Sequence, residues 1–129
     1  MEQKDIERYL ANWRDERNTA TIYFALAEWE EDKRLADIYR RMGESEMRHA
    51  ERWEEQMKLA GREVPDFHPA LKTKILLWLA KRFGASVVLP NMQAMERNGA
   101  KDYLTQSEAR GMSADESSHA RLLAQMAQA

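Results

Sequence analysis

From Asp5 to Glu31, apolar and aromatic side chains recur at helical spacing (Ile6, Tyr9, Leu10, Trp13, Ala20, Tyr23, Phe24 and Ala27), and that period confines the chain to helix. A second stretch, Lys33 to Ala60, repeats the pattern with Leu35, Ile38, Tyr39, Met42, Trp53 and Met57. Between them, Glu30-Glu31-Asp32-Lys33 is polar and suits a tight reversal. No segment alternates with the period of two that a half-buried strand requires, so the expected fold class is all-α. Composition agrees: Ala, Leu, Met, Glu, Arg and Lys abound, while 3 Pro and 5 Gly leave few places where a helix must stop.

Those stops divide the rest of the chain. Gly61 stands where a terminating glycine is expected, and Pro65 and Pro69 bracket an extended linker. Residues Ala70 to Phe83 read as a short basic amphipathic helix. It could lie on a membrane surface or pack against the protein, with packing the default. A third long helix is expected from Ser86 to Leu104 with Pro90 in its first turns, then a loop from Gln106 to Met112. Ser113-Ala114-Asp115-Glu116 opens a last helix still running at Ala129. The expected architecture is a four-helix bundle. Two antiparallel hairpins are joined by a crossover carrying the short extra helix, and the bundle is closed within one chain, or completed or swapped in a dimer.

A chain of 129 residues suits one domain, and 1–129 is read as one. Its 20 basic and 22 acidic residues balance too evenly for a nucleic-acid-binding face, so no nucleic acid partner is expected. With no Cys, disulfides, thiol nucleophiles and sulfur-ligated iron are excluded. Met1 to Asp5 lacks the apolar core of a signal peptide, and the run Ile75 to Ala80 is far short of the roughly 20 residues that span a bilayer. The expected location is cytoplasmic.

Chemistry is concentrated in the histidines. Of three, two occur as Glu46-x-x-His49 and Glu116-x-x-His119, a spacing that puts both side chains on one helical face. Each motif has an earlier partner: Glu16-Arg17-Asn18 precedes Tyr23, and Glu96-Arg97-Asn98 precedes Tyr103, with seven residues from Glu to Tyr both times. The chain is thus a weak internal repeat of two hairpins. In an antiparallel hairpin, residues level with one another have the turn at their midpoint. For Glu16 and Glu46 the midpoint is Glu31, and for Glu96 and Glu116 it is Gln106, so the second pairing requires the third helix to end by about Thr105.

Four buried carboxylates would repel and lose hydration at several kcal/mol each, whereas two divalent cations offset four charges. Carboxylate and imidazole without sulfur suit iron or manganese, and zinc also binds such sets. The expected ligands are Glu16, Glu46, His49, Glu96, Glu116 and His119, with Tyr23 and Tyr103 placed to hydrogen-bond ligand carboxylates. Plainer readings compete. With 15 Glu in the chain, a Glu three residues before a given His arises by chance about one time in eight. Glu116 could complete a capping box with Ser113. The tyrosines, and Trp13, Trp29, Trp53 and Trp78, read as packing, and His68 as a loop residue.

The two Glu-x-x-His motifs resemble those of the rubrerythrin and ferritin-like di-iron superfamily. The runs Arg34 to Met42, Trp78 to Gly84 with Val88-Leu89-Pro90, and Ser113 to Arg121 resemble one branch of it: the N-terminal ferritin-like domain of vacuolar-iron-transporter-type proteins, also described as membrane-bound ferritins. The resemblance runs from Tyr9 to Met126. It implies a cytoplasmic domain, cut from a longer protein with a C-terminal transmembrane transporter, that holds two iron ions through the six ligands above. It further implies a homodimer, ferroxidase activity with dioxygen or peroxide as oxidant, and a role in feeding or regulating an iron or manganese carrier. The alternative is a non-catalytic metal-sensing module that gates such a carrier. Gly99 stands where rubrerythrins usually carry a further Glu, and the Cys-rich rubredoxin module is missing. The implied role is therefore ferrous iron handling, away from peroxide reduction.

Overall fold

The computed structural model describes residues 3–128, and among these there are helices and no strand. Five α-helices run in order: α1 (Gln3–Trp29), α2 (Lys33–Leu59), α3 (Leu71–Phe83), α4 (Leu89–Leu104) and α5 (Met112–Gln128). The continuation of the last helix to Ala129 lies outside the described residues. The chain separates into two compact units, one up to Leu77 and one from Trp78 onward. The first holds the hairpin of α1 on α2, and the second the hairpin of α4 on α5.

Local chemistry fixes the ends of the first hairpin. Asp32 caps α2, its carboxylate accepting from the backbone N–H of Arg34 at 2.9 Å and of Leu35 at 3.3 Å, which satisfies donors that the first turn leaves open. At the other end, Gly61 takes φ 78°, and the Arg62 N–H reaches Met57 O while the Gly61 N–H reaches Lys58 O. This is the Schellman arrangement, and it is why the helix stops at a glycine. The reversal falls at residues 30–32, so the midpoint expected for Glu16 and Glu46 lies in the turn.

Inside this unit, Tyr9 stacks on Trp53 at 5.7 Å, and Trp13 is buried with its indole N–H donating to Glu54 Oε1. The Arg17 guanidinium lies over both Trp13 and Phe67, and Phe67 meets Trp13 edge-on, which ties the linker to α1. Tyr39 is buried, and burial, with the nearby Glu30 charge second, pushes its hydroxyl up to about 12. Asn18 does what its place in the Glu-Arg-Asn repeat gave no hint of. Its Oδ1 accepts from the Ala70 N–H at 2.9 Å and from the Thr73 hydroxyl at 2.8 Å, so a side chain of α1 caps α3.

In the second unit the boundaries shift from expectation. Ser86 lies in a 3₁₀ turn over Ala85–Val87, and α4 begins at Leu89 with Pro90 in its first turn. A proline deeper in the helix would clash with the carbonyl four residues back, so the chain tightens and restarts. α4 ends at Leu104 with Thr105 as its cap, as the level of Glu96 and Glu116 requires. Gln106 is followed by a second 3₁₀ turn, Ser107–Ala109, and α5 begins at Met112. Ser113 is therefore inside the helix, and its hydroxyl donates to Ala100 O at 2.9 Å rather than capping the helix, which removes the capping-box account of Glu116. Trp29 and Trp78 are exposed, unlike Trp13 and Trp53, and His68 is exposed in the linker. Among the described residues, no helix is long and apolar enough to cross a membrane.

Candidate metal centre

The six expected ligands fall three to each hairpin. In the first, α1 contributes Glu16 and α2 contributes Glu46 and His49, all buried. Their ligand atoms lie within 4.8 Å of one another. In the second, α4 contributes Glu96 and α5 contributes Glu116 and His119, again within 4.8 Å. Here Glu96 and Glu116 are buried and His119 is partly covered.

The geometry repeats. His49 Nδ1 lies 3.4 Å from Glu16 Oε2, and His119 Nδ1 lies 3.5 Å from Glu96 Oε2. In both hairpins the imidazole of the second helix thus faces the carboxylate of the first. Two donor atoms that share one ion at about 2.1 Å stand about 3.0–3.4 Å apart, for angles from square to tetrahedral. The observed spacings lie at the upper, tetrahedral end of that range and just beyond it. Each triad carries two carboxylates and one imidazole, so one divalent cation balances its charge. A buried carboxylate pair with no cation would suffer repulsion and desolvation together. Each triad could hold a metal ion on the chemistry of its donors alone.

Packing positions the ligands. Trp53, one turn beyond His49, is fully buried and stacked by Tyr9, which fixes the face of α2 that carries Glu46 and His49. Tyr23 and Tyr103, two turns from their respective Glu, are both buried. In the second hairpin Gly99 shapes the site. A Cβ there would come within 3.2 Å of Glu116 Oε2, so the missing side chain makes room for the carboxylate. The sequence marked Gly99 as a departure from a family pattern, but only the structure shows what its smallness accommodates. In comparisons with known proteins, no protein-family model, no curated protein and no solved structure matches this chain.

Proposed function

We propose that the two triads act together as a di-metal carboxylate centre that binds ferrous iron and oxidises it. The observation that carries this reading is the duplicated His-to-Glu approach, 3.4 Å in one hairpin and 3.5 Å in the other, with every member buried except the partly covered His119. A four-helix bundle, made by the two hairpins of one chain or of two copies in a homodimer, would join the triads. Manganese or zinc would fit the same donors; zinc has no redox chemistry, and the resemblance favours iron over manganese. Glu16, Glu46, Glu96 and Glu116 supply the negative charge that favours the ferric product over the ferrous substrate. The absence of a side chain at Gly99 lets the Glu116 carboxylate lie close against α4. Tyr23 and Tyr103, both buried two turns from their Glu, would hold ligand carboxylates in orientation. In the reaction, two ferrous ions each lose one electron, and dioxygen takes both with two protons to give hydrogen peroxide.

The wider role follows the resemblance: a cytoplasmic domain that feeds or regulates a membrane iron or manganese transporter. The test is to add ferrous iron without oxygen, admit air and follow the ferric absorbance. Oxidation faster than in a protein-free control supports the centre as an oxidase. Bound iron with no such acceleration removes the ferroxidase reading and leaves a metal-sensing module. No bound metal removes both.

A further inference from the structure

Helix α3 buries one face and turns the other to solvent. Thr73, Leu76 and Ala80 are buried, whereas Leu71, Ile75 and Trp78, spaced along the opposite stripe, are 74%, 50% and 61% exposed. At its end Phe83 is 57% exposed and meets Trp78 edge-on at 6.0 Å. Four cations, Lys72, Lys74, Lys81 and Arg82, share the helix with no acidic residue, and all four are exposed. On a helical wheel Lys74 and Lys81 flank the apolar stripe on one side, Lys72 flanks it on the other, and Arg82 falls within it.

We infer that α3 is a docking surface for an anionic lipid bilayer, lying flat in the headgroup region. Leu71, Ile75, Trp78 and Phe83 would enter the lipid boundary while the Lys and Arg side chains reach the phosphates. Thirteen residues rise about 20 Å, too short to span but suited to lie along the surface. Tryptophan favours that interface because its ring is apolar with one polar edge. Charge chooses the occupant. A symmetric contact between two copies would bring the same acid-free set of cations to both sides of one seam, which opposes association, whereas an anionic surface attracts it. The helix also needs no folding on arrival. Asn18 already holds its first turn through Ala70 and Thr73, which lowers the ordering cost of docking.

The experiment is co-sedimentation with vesicles of phosphatidylcholine alone and of phosphatidylcholine with about 30% phosphatidylserine. Binding is expected to the second and not the first, and to weaken as salt is raised. Lys74→Glu combined with Lys81→Glu should lower it by about tenfold or more, and so should Trp78→Ser. Both variants lie on the exposed face, and circular dichroism checks that their helix content is unchanged. Equal binding to both vesicle types, or none to either, overturns the inference. So does self-association in ultracentrifugation that Trp78→Ser abolishes, since the stripe would then be an interface between copies.

Discussion

The carboxylate of Glu116 on α5 closes over Gly99 on α4, where a Cβ would lie 3.2 Å from Oε2 and 3.7 Å from the Cγ and Cδ atoms. Two opposing effects of Gly99→Ala follow. Replacing a glycine inside a helix by alanine stabilises the metal-free protein by up to about 1 kcal/mol. The new methyl must also displace the Glu116 carboxylate by a few tenths of an ångström. If Glu116 is a ligand, metal affinity should drop by about tenfold, in the range seen when support for a ligand is disturbed. Melting without metal and titration with ferrous or cobaltous ion read the two effects separately. Unchanged affinity in a well-folded variant would remove Glu116 from the ligand set.

Ligand substitutions should separate stability from metal binding in the same way. Glu46→Gln removes a buried charge, so the metal-free protein should melt at the same temperature or higher. Wild type should gain about 2.7 kcal/mol from one site at free metal 100-fold above its Kd, and a chelator should reverse that gain. The variant should lose most of it. In the second hairpin, Glu96→Ala and His119→Ala should each weaken uptake with helicity kept. Full stoichiometry in both would take that hairpin out of the metal reading.

How far the sequence reached depended on whether a feature was local. The helical period and the reversal at residues 30–32 are local, and α1 and α2 begin and end within about two residues of expectation. Glu-x-x-His is local too, because helix geometry alone puts its two side chains on one face. Bringing Glu16 to His49 and Glu96 to His119 needed only the position of a turn, so the members of each triad were legible in advance. Other features depend on contacts between distant elements. Asn18 bonds to Ala70 and Thr73 across 52 and 55 residues, and no spacing rule signals that. Ser113 reads as a cap by residue type, yet its hydroxyl finds Ala100 across the hairpin. The outward turn of Trp78 follows from which face of α3 finds a neighbour, and apolar periodicity does not specify that.

The Asn18 contacts make a stability prediction distinct from the metal site. Asn18→Ala deletes the acceptor of two hydrogen bonds at the start of α3. Losing a capping side chain costs about 1 kcal/mol, with a range of roughly 0.5–2. The loss should appear in denaturant unfolding and in faster amide exchange at residues 70–74, while exchange along α5 stays as in wild type. Asn18→Asp keeps the acceptor and should retain most of the stability. An alanine variant as stable as wild type would show that the linker and the packing of Thr73, Leu76 and Ala80 suffice to hold α3.

Tyr39 gives the fold a stability limit at high pH. Burial, with the Glu30 charge adding to it, raises the phenol from its ordinary 10.0 to about 12. The folded protein therefore keeps this proton over a range in which the unfolded chain has released it. The resulting stabilisation is complete below about pH 10 and is lost as pH rises toward about 12. At 1.36 kcal/mol per pH unit the loss is about 2–3 kcal/mol. Tyr39→Phe cannot ionise, so its stability should fall less across the same window, and subtracting the two curves cancels every group they share. Glu30→Gln should lower the midpoint of the phenolate absorbance slightly, because it removes the smaller cause and leaves burial in place. Parallel unfolding curves for wild type and Tyr39→Phe between pH 10 and 12 would mean that the folded protein admits water to the phenol.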